Sequence, residues 1–208
     1  YFQREDGMAD EPKVLSVGGY GDGMDFFVLK GAVQSILDSI RVSGAAYEAV
    51  RDNPSYHPGR CAKVFTGETK LGVIGQIHPR VAANYGVDTE LYTAELKLDA
   101  MLHARGATPV YVPLPRFPAV TRDIAVVCDA ALPVARLEAC ILGAGGQYLK
   151  RCELFDVYTG APIPAGMKSV AFSLELRADD QTLTDEHADE TMSAVLTALK
   201  ETCNASIR

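Results

Sequence analysis

The sequence predicts an α+β chain of two units, an antiparallel sheet with one packed helix followed by a β-α-β-β-α-β unit. Three observations predict it. Hydrophobic residues make up 48% and charged residues 23% of the 208, a globular composition. After one early helical stripe, the strand candidates of the first half follow one another directly, which favours antiparallel pairing over a β-α-β series. The run Val110-Tyr-Val-Pro-Leu-Pro-Arg-Phe-Pro118 then sets three prolines within six residues, a stiff extended connector. It divides the chain into units of residues 8–114 and 115–208. The opening Tyr1-Phe2-Gln3 reads as the tail of a protease-site linker and is set aside.

In the first unit, Val14–Val17 is a short strand leading into Gly18-Gly-Tyr-Gly-Asp-Gly23, read as a flexible turn. Asp25 is placed to cap a helix whose apolar residues Phe26, Leu29, Val33, Ile36, Leu37 and Ile40 recur with helical period. Strand, glycines and helix in that order invite a dinucleotide site, but Gly19-x-Gly21-x-Gly23 is not G-x-G-x-x-G. Strands follow at Ala45–Val50, Arg60–Phe65, Lys70–Ile77 and Tyr92–Leu98, the middle two joined at Gly67-Glu68.

In the second unit, Asp123–Cys128 is a strand, and Pro133 opens a helix with Val134, Leu137 and Ile141 on one face. Leu149–Tyr158 and Lys168–Arg177 are strands around a loop at Gly160–Gly166. Thr184 caps a long helix with Asp185 and Glu186 in its first turn, where the dipole favours acids. Its apolar stripe is Met192, Val195, Leu196, Leu199 and Cys203, and Ala205–Ile207 is a final strand. The order is that of a ferredoxin-like split β-α-β, four antiparallel strands with both helices on one face.

Such a sheet leaves its other face open, and alternation says what lies there. Phe155 and Val157 are expected to pack on the helices while Asp156 and Tyr158 point away. Val170, Phe172 and Leu174 face the core, while Ser169, Ala171 and Ser173 share the open side. Ile207 goes in and Arg208 out. An acid, a tyrosine, small hydroxyls and an arginine can stack and hydrogen-bond an unpaired base, the logic of sheet-borne readers of single-stranded RNA.

The formal net charge of −7 argues against a general nucleic-acid binder. Its distribution is uneven, because Asp179, Asp180, Asp185, Glu186, Asp189 and Glu190 crowd one stretch without Lys or Arg. Cys61, Cys128, Cys140, Cys152 and Cys203 are odd in number and form no C-x-x-C pair. That suits neither a disulfide framework nor a zinc knuckle, and a reducing, cytoplasmic setting is expected. No uncharged apolar run approaches the ~18–20 residues of a membrane helix, nor does the start read as a signal peptide. No paired carboxylates, nucleophile-base motif or P-loop appears, so no catalytic residue and no metal site is assigned. His57 and His78, each before a proline, read as turn-forming. Cys61 beside His57 is the one candidate for thiol chemistry, and a buried thiol is the plainer reading.

Linked motifs carry a resemblance. Arg116-Phe-Pro-Ala-Val-Thr-Arg-Asp-Ile-Ala-Val-Val127, Leu154-Phe-Asp-Val-Tyr-Thr-Gly160, Gly166-Met-Lys-Ser-Val-Ala-Phe172, Gln181-Thr-Leu-Thr-Asp-Glu186 and Ala205-Ser-Ile-Arg208 occur in that order. Together they resemble the ferredoxin-fold anticodon-binding domain that ends the beta subunits of bacterial phenylalanyl-tRNA synthetases. Asp25–Gly31, His57–Arg60 and Gly72–Pro79 resemble the preceding part of that family, the C-terminal half of a catalytic-like module. The resemblance implies that this module has the class II synthetase fold but no working active site. It also implies that Asp156, Tyr158, Ser169 and Arg208 lie at the anticodon loop. Tyr158 would stack a base, Asp156 and Ser169 would bond base edges, and Arg208 would contact a base or phosphate. It implies phenylalanine tRNA and an alpha subunit as partners in an alpha-2 beta-2 enzyme that uses ATP and magnesium, with neither DNA nor a membrane. Gln181 stands where the family often has arginine, and Ile207 where it often has leucine. The alternative is a free-standing ferredoxin-like module that binds another RNA or a small ligand. A further rival is a hydrolase using Cys61 and His57.

Overall fold

A computed structural model describes residues 2–3, 7 and 9–208. Tyr1 of the opening tripeptide and Met8, where the first unit was expected to begin, lie outside the described residues. The chain divides into two compact units, residues 1–110 and 111–208. No helix among the described residues is long and apolar enough to cross a membrane.

The first unit begins with β1 (Phe2–Gln3) and β2 (Ala9–Asp10), which pair with each other. Next come β3 (Val14–Tyr20), α1 (Phe26–Ser39), β4 (Ala45–Ala49), β5 (Tyr56–Thr66) and β6 (Thr69–Ile77). It closes with α2 (Pro79–Asn84), β7 (Leu91–Lys97) and α3 (Leu98–His103). β3-β7-β6-β5-β4 form one five-stranded antiparallel sheet. The Asp25 carboxylate accepts from the Val28 amide at 2.7 Å and starts α1. Leu29, Val33 and Leu37 of that helix are buried against Val64, Leu71, Ile74, Ala94 and Leu96 of the sheet. Each such side chain removed from water stabilises the fold by roughly 1.5–3 kcal/mol.

Two readings in this unit need correction. Gly18, Gly19 and Tyr20 are strand, not turn, because they continue the ladder to Thr93, Tyr92 and Leu91. Only Gly21 and Gly23, with φ of +96° and +78°, make the turn, in a region that side-chain-bearing residues avoid. His57 to Gly59 likewise lie inside β5, where the register shifts between Tyr56 and Cys61. The pairing with β6 resumes beyond that irregularity, so a segment read as a turn stays in the strand.

Residues 105–119 form no helix or strand, and Val110, Tyr111, Val112 and Leu114 are exposed. The second unit follows with β8 (Val120–Asp129), α4 (Val134–Ala144), β9 (Leu149–Tyr158), β10 (Met167–Leu176), α5 (Asp185–Cys203) and β11 (Ser206–Ile207). Its sheet order β11-β8-β10-β9 is fully antiparallel, and the element order is β-α-β-β-α-β. Leu137 and Ile141 of α4 and Val195 and Leu199 of α5 meet Ile124, Val126, Cys128, Val170, Phe172 and Leu174 in one core. Both helices therefore cover the same sheet face. The Thr184 hydroxyl accepts from the His187 amide, and Asp185 and Glu186 occupy the first turn of α5.

Candidate nucleic-acid interface

The face opposite the helices is built from cross-strand rows. Tyr158 of β9 stands opposite Ser169 of β10, which stands opposite Val127 of β8, which stands opposite Ser206 of β11. In the next row Asp156 faces Ala171, which faces Ala125, and the Arg208 amide donates to the Ala125 carbonyl at 2.9 Å. Successive side chains alternate sides, so Asp156, Tyr158, Ser169 and Arg208 share the helix-free face. The Arg208 guanidinium carbon lies 5.9 Å from the centre of the Tyr158 ring, within cation–π range, although Arg208 follows one edge strand of the sheet and Tyr158 ends the opposite one. The Tyr158 hydroxyl donates to the Ala161 carbonyl at 2.8 Å. Further along this face, Arg151 pairs with Glu153 at 3.0 Å and Arg177 with Glu175 at 3.2 Å. Carboxylates thus accompany the cations at that end.

The exposure of these residues departs from simple alternation in three ways, one being that Ile207, expected to turn inward, is 64% exposed on the short edge strand β11. Ser169 and Ala171 are on the expected side but buried, Ser169 being only 4% exposed, because β10 is an inner strand with neighbours on both flanks. Phe155 and Val157 were expected to pack on the helices, yet they are 56% and 45% exposed. β9 is an edge strand, and a register shift opposite Ala171 and Phe172 leaves Phe155 without a cross-strand partner. Neither joins the core beneath the helices. Tyr158 keeps 40% of its surface open.

The first unit holds a polar network that the sequence did not announce. Arg60 Nη1 donates to Gln76 Oε1 and Glu90 Oε1, each at 2.9 Å, and to the Tyr92 hydroxyl at 3.1 Å. Tyr92 donates in turn to Glu90 Oε2 at 2.6 Å. The Tyr92 hydrogen bond, and then that of Arg60, hold the Glu90 carboxyl below its ordinary range, while burial pushes the Tyr92 phenol up. Arg60 alone was visible beforehand, in His57-Pro-Gly-Arg60; its partners lie sixteen or more residues away.

The histidines hold local backbone. His57 Nδ1 accepts from the Gly59 amide at 3.1 Å, and His78 Nδ1 accepts from the Arg80 amide at 3.2 Å, capping α2. Cys61 is buried with Val50 and Tyr56, and burial pushes its thiol up, the opposite of an activated nucleophile. Burial also pushes the Cys152 thiol up to about 11. Among the described residues, no three or more His, Cys, Asp and Glu gather as a metal site would require.

A ferredoxin-like sheet with both helices on one side and an aromatic ring, an arginine and an acid on its uncovered face belongs to the class of α+β domains whose open sheet can take an unpaired base. Residues 115–208 match the ferredoxin-fold anticodon binding domain, and residues 1–98 match the phenylalanyl tRNA synthetase beta chain CLM domain. The chain belongs to the phenylalanyl-tRNA synthetase beta chain family. It is 36% identical over 206 residues to the phenylalanine–tRNA ligase beta subunit of Clostridium acetobutylicum, covering 99% of this chain and 26% of that relative. It is 42% identical to that of Moorella thermoacetica and 41% to that of Bacillus subtilis, each over 185 residues, 89% of this chain and 23% of the relative. The chain spans about a quarter of the length of the curated relatives it matches.

Proposed function

We propose that this chain contributes anticodon recognition to a phenylalanine–tRNA ligase, with the helix-free face of its four-stranded sheet as the reading surface. The observation that carries the reading is the shared placement of Tyr158, Asp156, Ser169 and Arg208 on that face, in a domain matching the anticodon-binding family. Tyr158 stacks a base, Asp156 accepts hydrogen bonds from base amino groups, and Arg208 moves from the tyrosine ring to a base or phosphate. Ser169 bonds a base edge once the side chains around it shift. The mildly populated cation set favours base contacts over phosphate contacts as the source of affinity.

The ligase as a whole joins phenylalanine to its tRNA with ATP and magnesium, together with an alpha subunit in an alpha-2 beta-2 assembly in the cytoplasm. The described residues of this chain do not gather a donor set for the magnesium ion. The first unit supports the assembly as a catalytic-like module without chemistry of its own.

Replacing Tyr158 with Ala is expected to weaken binding of phenylalanine tRNA to the chain by about 5- to 150-fold, the equivalent of one stacked base. Fluorescence anisotropy with labelled tRNA reads this, with circular dichroism to show that the fold persists. Unchanged affinity in a folded Tyr158→Ala chain would sink the reading.

A further inference from the structure

Tyr158 ends β9, and its ring rests on the loop that follows. Its hydroxyl is tied to the Ala161 carbonyl at 2.8 Å, so the backbone passes close against the ring's far end. Gly160 sits at that contact: a Cβ there would stand 2.7 Å from Cζ of Tyr158 and closer still to its hydroxyl oxygen. Carbon atoms in ordinary contact stay about 3.5–4.0 Å apart. The φ of Gly160 is not positive, so the residue is not glycine for the sake of its backbone. What a side chain there would displace is the tyrosine ring. The guanidinium of Arg208 approaches the ring as well, from a residue whose own amide is fixed to Ala125.

A tyrosine at the end of an edge strand otherwise moves among staggered rotamers and loses that freedom when a base stacks on it. Holding the ring in place beforehand removes that cost from binding. We infer, on the RNA-reading role proposed above, that the Gly160–Ala161 turn is a positioning clamp that presets Tyr158 as a stacking platform. Two elements make the clamp: the Ala161 carbonyl that receives the hydroxyl, and the missing side chain of Gly160 that lets the ring lie down.

The test measures affinity of the 208-residue chain for a labelled anticodon stem-loop of phenylalanine tRNA, with thermal unfolding of every variant alongside. Tyr158→Phe keeps the ring and removes the tie; Gly160→Ala keeps the tie's partners and displaces the ring. Each is expected to weaken binding by about 2- to 10-fold with little change in melting temperature. Tyr158→Ala weakens it further, and adding Gly160→Ala to Tyr158→Ala has no additional effect, because no ring remains to be held. If Tyr158→Ala weakens binding while Tyr158→Phe and Gly160→Ala match the wild type, the clamp is refuted and the stacking platform stands. If Gly160→Ala weakens binding as much without Tyr158 as with it, the turn acts elsewhere and the clamp is refuted. If Tyr158→Ala binds like the wild type, or the wild type does not bind, the RNA-reading role fails and the clamp with it. Should Gly160→Ala not fold, the Tyr158→Phe and Tyr158→Ala pair decides the matter alone.

Discussion

β9 and β10 are neighbours in one sheet, carry three of the four candidate contact residues, and depart from alternation in opposite directions. β10 lies inside the sheet, and residues 168–172 are buried whichever way they point. β9 is the edge, and residues 153–158 are exposed whichever way they point. Alternation assigns a side chain to a face; whether that face is covered depends on neighbouring strands and on how far the helices reach. The difference suits a reading surface. The accessible residues Asp156 and Tyr158 belong to the edge, and the inner strand beside them supplies a buried floor.

The largest test of this contrast compares two phenylalanines. Phe172 is fully buried on β10, so Phe172→Ala is expected to lower unfolding stability by about 3–5 kcal/mol. Phe155→Ala on β9 is expected to cost less than about 1 kcal/mol, because its ring is mostly in water. Urea unfolding midpoints check both, and equal losses would break the contrast.

The lysines make a smaller version of the same comparison. Lys168 of β10 is buried, and its ammonium group donates to the Ala130 and Leu132 carbonyls. Lys168→Met strands those carbonyls and should cost about 1–3 kcal/mol. Lys150 of β9 instead meets the exposed Asp179 carboxylate at 2.8 Å, and Lys150→Met should cost about 0–1 kcal/mol. Chemical denaturation of the two variants ranks them.

The smallest effect is a titration. The hydrogen bond from Lys150 holds the Asp179 carboxyl below the ordinary aspartate range. A carboxyl depressed in the folded state contributes stability above its unfolded value and loses it as pH falls through the folded one. Carbon-13 carboxyl shifts should therefore show Asp179 titrating lower in the wild type than in Lys150→Met. Identical titrations would remove the ion pair from the edge strand's account.

Local signals carried much of the architecture. Leu149–Tyr158 emerged with its bounds intact from β propensity and turn residues, and Asp25 and Thr184 were legible as caps because capping is settled within three residues. α2 and α3, at six residues each, were not legible, since so short a stretch shows no helical period. The sharing of one face by Asp156, Tyr158, Ser169 and Arg208 was readable from alternation and from resemblance. The Arg60–Gln76–Glu90–Tyr92 network and the turn beneath Tyr158 were not.

Periodicity, caps and turns are properties of adjacent residues, so the amino-acid order by itself determined the longer elements, their succession and the face shared by Asp156, Tyr158, Ser169 and Arg208. Burial of Ser169, exposure of Phe155 and the placement of Arg208 over Tyr158 depend on atoms brought together from distant strands. Only the tertiary structure decided those, because coverage and contact are set by strand order and close packing, which no local window contains.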